Sequence, residues 1–490
     1  MSIIKTVPER KSRPFLNIDL MNSKQLPGWH PFTRNSRATY LGASGNIMNA
    51  EINEPRFDHH PETIEPKGLL VENSVTNYMT DYRIGISGSA NPSFNSGNVS
   101  LVSLTYGTGE TLSPAGDFSA TLMAANGGSG VHRIVSQSNP ISGSGQTFSI
   151  YVKAKGTNRV SIDCDNIGVN VAYFLSGDGS IHGTPQNTNG KVRGYFIEKW
   201  PGDWYRIGVT LVNAGSGSTN DFRLYLANNT HSTSFTPGAA TGTTESVYVW
   251  GAQLENDFLA SSLIKSTSGA TTRGQDLLSD SSAKVLFGTT GADNAKGNTY
   301  LDFPQPSQQG LTFYLHGEID WQWNNGTNYY FFAFNASGGN DYFGFRIGGS
   351  DGCATYQVYN NGSYATQTHN DMYPSAQNTS AGAASTSTYG HHAKREFKFA
   401  GTLDPITTSN SMRSKMMYIQ TRDNHYTEDV LTMQSGSTNP INLPGVQGYG
   451  QLNRFGLIGS SQVLRRGWIK KLTFWSGPMT DDELEQLVET

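Results

Sequence analysis

Two carboxylates stand two residues apart, Glu318 and Asp320, within the run LTFYLHGEIDWQW. On an extended strand such residues share a face at roughly 7 Å, a distance that glycosidase acid/base pairs also span. Alternate acids on a solvated strand face need no chemistry, and nothing in the sequence marks either carboxyl for a raised pKa. The solvated face is therefore the first reading. The same run continues into Trp321 and Trp323, with Asn324, Asn325 and Asn328 behind them. Exposed aromatics that stack on sugar faces, beside amides that take hydroxyls, make a glycan platform. Strand parity gives both tryptophans the face of Leu311, Phe313 and Ile319, so core packing comes first and the platform second. Tyr314 lies on the opposite face and is expected to be exposed. Trp321, Trp323, Tyr314 and Asn325 are the candidate glycan-binding residues.

Other reactive groupings are sparse. His59-His60 and His391-His392 are neighbours, and strand neighbours point to opposite faces, so neither pair makes a shared metal site. Asp163 with Asp165, and Asp341 with Asp351 near glycines, could offer oxygens to Ca²⁺, but no Ca²⁺-loop spacing is complete. Cys164 and Cys353 are the two cysteines, too few for a zinc site or a disulfide framework, and read as small buried hydrophobes. There is no P-loop and no HExxH. The sequence leads us to expect no catalytic residue, no metal, no cofactor and no enzyme activity.

The elements that would position these side chains are strands. Charged residues make up 15% of the 490, well below the roughly 25% of ordinary globular chains, while 55 glycines and 20 prolines supply turns. Aromatics at 11% allow real cores and argue against disorder. In FSIYVKAK, Phe148, Ile150, Val152 and Ala154 share one face. Val160, Ile162 and Cys164 repeat the period, as do Ile207, Val209 and Leu211, then Phe222, Leu224 and Leu226. Such alternation belongs to antiparallel sandwiches, each sheet with a core side and a water side. Trp204, in GDWYRI, fits a strand start and is read as packing. One helix is predicted, at the C-terminus: Thr480 as N-cap and Glu483 at N3 form a capping box, and Leu484, Leu487 and Val488 form its apolar stripe. A parallel α/β fold is excluded, because it needs helical crossovers.

Pattern divides the chain into an irregular N-terminal segment, 1–80, a first sandwich, 81–264, a Ser/Thr/Gly-rich linker, 265–284, and a second sandwich, 285–490. The expected fold is all-β: tandem antiparallel β-sandwich (jelly-roll) domains with one short C-terminal helix. The net charge of −4 and the lack of a basic stripe speak against nucleic acid. No apolar run reads as a signal peptide or a membrane span, and the Asn-x-Ser/Thr triplets at Asn325 and Asn335 read as chance.

Three segments carry a resemblance. Phe32 to Asn77 contains Thr33-Arg34, Ser36, Ala38-Thr39-Tyr40, Gly45, Pro55-Arg56-Phe57-Asp58, Gly68-Leu69-Leu70, Glu72 and Thr76-Asn77. This ordered set resembles the N-terminal signature of many tailed-bacteriophage tail and appendage proteins. Val247 to Asp276, with Trp250-Gly251-Ala252-Gln253-Leu254-Glu255, Ser262, Ile264, Thr272-Arg273 and Asp276, is similar to the closing strand of the carbohydrate-binding-module-like jelly rolls that follow that signature. Leu263 and Lys265 stand where that family often has an aromatic and a proline. Gly467 to Leu487 looks like the last strand and helix of laminin-G or concanavalin-like sandwiches.

The resemblance implies a virion structural protein, made in the host cytoplasm and carried in the particle. The expected role is that of a tail-fibre or appendage adhesin that binds host-surface glycans, acting as a homo-oligomer, often a trimer. The alternatives are a capsid- or tail-decorating protein that binds only other virion subunits, and a polysaccharide depolymerase. Arg34, Arg56 and Asp58 fall in a proline-punctuated, strand-poor stretch that cannot easily build its own core. They are read as docking residues against neighbouring domains or virion chains, and equally as a local Arg–Asp pair that orders a loop.

Overall fold

The alternating runs become strands whose apolar faces meet. The computed structural model describes residues 13–14, 16–26, 32–85, 99–127, 132–136, 145–164, 168–187, 191–212, 222–227, 244–278, 310–320, 329–336, 342–347, 354–360, 363–369, 394–404, 412–422, 425–435, 452–456 and 466–489. Within them the protein is all-β and antiparallel, with the one α-helix at Asp481–Glu489. The predicted capping box forms there: the Thr480 backbone N–H donates to Glu483 Oε2 at 2.7 Å, and the Glu483 N–H donates back to Thr480 Oγ1 at 3.3 Å.

In the first sandwich, Gly145–Ala154 lies between Trp204–Val212 and Ser246–Glu255 in one sheet. Arg159–Cys164 lies between Val169–Phe174 and Arg223–Leu226 in the other. Phe148, Ile150 and Val152 meet Val160, Ile162, Cys164, Phe222 and Leu224 in one fully buried core. In the second sandwich, Leu311–Asp320 is flanked by Lys394–Leu403 and Arg466–Ser476. Its core face carries Phe313 and Leu315, and Phe397 and Phe399 pack against Phe331 and Phe345 of the facing sheet, with ring centroids 4.6–5.6 Å apart for Phe345 on Phe399 and on Phe397.

The N-terminal stretch is more ordered than its proline-punctuated sequence suggests. It contributes the strands Leu16–Asp19, Ala38–Leu41, Ile47–Ala50, Arg56–His59, Pro66–Glu72 and Val75–Asn77. Leu16–Asp19 and Pro66–Glu72 pair with successive halves of Arg466–Ser476, so the two ends of the chain share a sheet. Five residues after Glu72, Asn77 pairs with Glu255 in the sheet of the first sandwich, and Val75–Asn77 also receives Thr271–Arg273. Only Asn73 and Ser74 separate the two strands. The chain thus stitches one sandwich to the other in a nearly continuous extended run.

This stitching covers faces that parity alone would leave wet. The hairpin of Ala38–Leu41 with Ile47–Ala50 lies over Tyr151, Trp200, Trp204 and Trp250, and Leu41, Ile47 and these rings form a second apolar cluster. Trp204 packs there, as its sequence reading expected. Tyr151, on the face opposite Phe148 and Ile150, is therefore buried rather than solvated.

Candidate functional site

The three segments that carried the resemblance converge on the seam between the sandwiches. Glu72 ends the strand Pro66–Glu72, and its carboxylate accepts from the Ser262 N–H at 2.8 Å, the Ser262 hydroxyl at 2.6 Å and Arg56 Nη1 at 2.6 Å. Arg273 Nη1 completes the ring at 2.8 Å. Asp276 takes Arg34 Nη1 at 3.0 Å on one oxygen, and Arg56 Nη2 with the Glu72 backbone N–H on the other. Arg466, at the start of the last strand, lies 3.5 Å from Glu72 and donates to Asp320 at 3.0 Å. Asp58 accepts from the Leu41 N–H at 2.8 Å and the Trp468 indole at 2.9 Å.

Burial makes this network all-or-nothing. Arg34, Arg56, Glu72 and Asp276 have fully buried side chains, and an ion taken from water without its partner costs several kcal/mol. Desolvation pushes the Glu72 carboxyl up, but Arg273, Arg56 and Arg466 overcome it and hold the group ionised far below the usual carboxylate range. Burial likewise pulls Arg56 down, and Asp276 with Glu72 more than restores it. Two amide side chains join the network. Asn77 bridges the segments, donating to Ile264 O at 2.9 Å and accepting from the Leu254 N–H at 3.0 Å. Gln253 Oε1 accepts from the Ile264 N–H at 2.6 Å.

These contacts correct the docking reading. Arg34, Arg56 and Asp58 are spent inside the chain, because their partners are the chain's own Asp276, Glu72, Leu41 and Trp468. They are not left to pair with a second chain. Of the two readings of the stretch, packing against neighbouring domains fits and a merely local Arg–Asp pair does not: Arg56 and Asp276 are 220 positions apart. The cavity beside this network, bordered by Asp58, Tyr151, Arg206 and Trp468, is about 30 Å³, room for about one or two waters and no sugar.

The acid pair of the second sandwich is corrected too. Glu318 and Asp320 are 6% and 4% exposed, not solvated. Lys67 donates to Glu318 at 2.6 Å and Lys470 lies 3.4 Å from it, while Arg466 holds Asp320. Against the upward push of burial, Lys67 and Lys470 keep the Glu318 carboxyl below its ordinary value. Lys470 also pairs with Glu396 at 2.7 Å, and His316 hydrogen-bonds that same carboxylate at 2.6 Å. Burial opposes ionisation at Glu396, yet His316 and Lys470 bring its carboxyl down to about 2.

Tyr314, expected to be exposed, is 7% exposed, because the C-terminal helix packs Leu484, Leu487 and Val488 over it together with Trp475. Burial raises its hydroxyl well above the ordinary tyrosine range. Trp321, Trp323 and Asn325 lie outside the described residues, as do Asp165, Asp341, Asp351, Cys353 and the His391-His392 pair. Asp163 is buried beside Asn170 and 3.8 Å from Arg223. His59 Nδ1 hydrogen-bonds Leu41 O at 2.9 Å, and Cys164 is a buried thiol in the first core. The residues the sequence did not offer as candidates, Lys67, Arg466 and Lys470, share one feature: each is charged but faces a buried acid supplied by another segment. Strand periodicity carries no signal for that.

No protein-family model matches the chain, and no curated protein matches it. Similar solved structures include the Ruminococcus gnavus IT-sialidase CBM40 bound to α2,6-sialyllactose, at 10% identity and TM-score 0.24, over 37% of this chain and 83% of that one. Mouse laminin α1 domains LG4-5 align at 10% identity and TM-score 0.15, over 70% of this chain and 84% of that one. The bifunctional GH43-CE protein of Bacteroides eggerthii aligns at 10% identity and TM-score 0.20, over 74% of this chain and 47% of that one. Likenesses at these scores bear on neither ligand nor activity.

Proposed function

We propose that the chain is a surface protein of a tailed-phage virion that holds host-surface glycans without transforming them, an appendage adhesin acting as a homo-oligomer. One observation carries the non-catalytic part. Glu318 and Asp320, the carboxylates spaced like a glycosidase pair, are buried and neutralised by Lys67, Lys470 and Arg466. A general acid needs a raised pKa and access to the scissile bond. Glu318 has a lowered pKa and no access. The phage part is supported by the ordered signature from Phe32 to Asn77, whose charged residues build the seam rather than a reactive centre. A rigid pair of sandwiches suits adhesion, since loops at their tips can vary without disturbing the cores. Oligomeric display would raise weak sugar affinity by avidity.

The test is an array of bacterial surface polysaccharides probed with the full chain, followed by mass analysis of the retained glycans. We expect at least one glycan to be retained with its chain length unchanged. Shortened glycans would make the protein a depolymerase. Correctly folded protein that retains none would leave the purely decorating role.

A further inference from the structure

The outer face of the second sandwich is covered at one end by the C-terminal helix and at the other by the N-terminal stitching, with a gap between. There Leu16–Asp19 and the turn that follows it stand on one side, and Leu487 of the helix on the other, around a cup of about 370 Å³. That volume is at the small end of the roughly 300–1,000 Å³ of small-molecule sites, enough for one or two sugar rings. Its floor is set by register. His316 on the central strand is paired with Lys398 on one neighbour and Lys471 on the other, so three basic side chains lie abreast across three strands. The outer two are separated by two strand spacings, about 10 Å.

The charges of this floor differ from those next to it. Lys67 and Lys470 are consumed by Glu318 and Glu396. Among the described residues neither Lys398 nor Lys471 has a carboxylate within ion-pair distance. Asp19 is the one acid lining the cup; it holds the Asn22 side chain at 2.8 Å and acts on Lys471 through space. Two ammonium groups therefore face one carboxylate. His316 is turned to Glu396, and burial lowers its pKa against the pull of that carboxylate. The wall holds Tyr314 and Trp475, both largely buried beneath the helix. At the rim Thr473 donates to Asn17 Oδ1 at 2.8 Å, which leaves the Asn17 NH₂ group to donate to a ligand.

We propose that this cup binds a uronate unit of an acidic polysaccharide, its carboxylate lying over His316 between Lys398 and Lys471 and its hydroxyls meeting Asn17. The inference rests on the adhesin reading and deepens it by naming the ligand class. The amide and aromatic lining suits a sugar ring, which distinguishes it from a bare anion site, and lysine supplies point charge without a fork of its own.

Calorimetric titration of the full chain with tetramers of galacturonate, glucuronate and mannuronate tests this. Each would be compared with the same oligomer after reduction of its carboxyls to primary alcohols. At least one uronate should bind about tenfold more tightly than its reduced form, and Lys398→Gln and Lys471→Gln should each remove most of that preference, the scale of a charge-assisted hydrogen bond. Unchanged unfolding midpoints would show that these variants fold. Equal affinity for acid and neutral oligomers, insensitivity to both substitutions, equal competition by inorganic phosphate, or no binding by any uronate would each overturn the proposal. If the array above retains a glycan while these titrations fail, the cup is wrong and adhesion stands. If the array itself retains nothing, adhesion is what fails.

Discussion

The indole N–H of Trp468 donates to Asp58 Oδ2 at 2.9 Å, joining residues 410 positions apart. Trp468 is 1% exposed, and the Lys67 ammonium sits 3.4 Å from its ring centroid. The bond ties the last strand to the N-terminal signature. It explains why a charged residue in a proline-punctuated stretch can be buried: its acceptor oxygens are taken at both ends, by Leu41 and by Trp468. Trp468→Phe would keep an aromatic ring but strand one Asp58 oxygen. We expect a loss of about 2–4 kcal/mol, from an unmet buried carboxylate and a partly emptied ring site. Urea unfolding followed by circular dichroism measures it, and a midpoint equal to wild type would deny Asp58 this role.

Gly68 sits where the stitching strand crosses the last strand. Its φ is +86°, and a Cβ there would strike the Ile469 carbonyl oxygen and come within 3.0 Å of Lys470 Cα. Backbone on backbone has no side chain to move aside. Gly68→Ala should cost about 2–4 kcal/mol through strain and overpacking combined. Gly109, with φ +75° and nothing within 4 Å, is the control, for which only the conformational cost of about 1 kcal/mol is expected. Comparable losses at both sites would mean that the crossing is looser than described.

Glu255 should make stability fall with rising pH. Its carboxyl is fully buried, accepts from the Ser261 N–H at 3.0 Å and the Ser261 hydroxyl at 2.5 Å, and is raised by burial from 4.5 to about 7. Between those values the folded protein keeps a proton that the unfolded chain has released. Stability is therefore highest below pH 4.5 as far as this group is concerned, declines as pH rises towards 7, and levels off above it. The span corresponds to roughly 3 kcal/mol at most. Glu396, lowered to about 2, acts in the other direction and only below pH 4.5, where its contribution is lost on acidification. Glu255→Gln should flatten the profile from pH 5 to 8. A variant whose stability tracks wild type across that range would show that Glu255 does not titrate there.

Much of the fold was legible in the chain. Phe148, Ile150 and Val152, or Ile207, Val209 and Leu211, alternate with polar neighbours, and a two-residue period dictates which side they take whatever lies opposite. The capping box at Thr480 and Glu483 is equally local. What the period does not say is what covers the other side. Parity puts Tyr151, Tyr314, Glu318 and Asp320 on outward faces, and those faces are covered rather than wet. Those faces meet the Ala38–Ala50 hairpin, the C-terminal helix and Lys67, each distant in sequence. The residues of the seam could be picked out by resemblance, yet their roles could not. Arg34, Arg56 and Glu72 look like surface charges until Asp276 and Arg273 are brought to them.

Scanning calorimetry of the full chain and of Asp276→Asn tests most directly whether the seam locks the two sandwiches together. Asp276 serves Arg34, Arg56 and the Glu72 backbone, so the substitution leaves two guanidinium groups buried with one charge partner fewer, a loss of about 3–5 kcal/mol. We expect wild type to unfold in one transition that includes both sandwiches, and Asp276→Asn to split it in two. Two independent transitions in wild type, neither of them moved by the substitution, would contradict the lock.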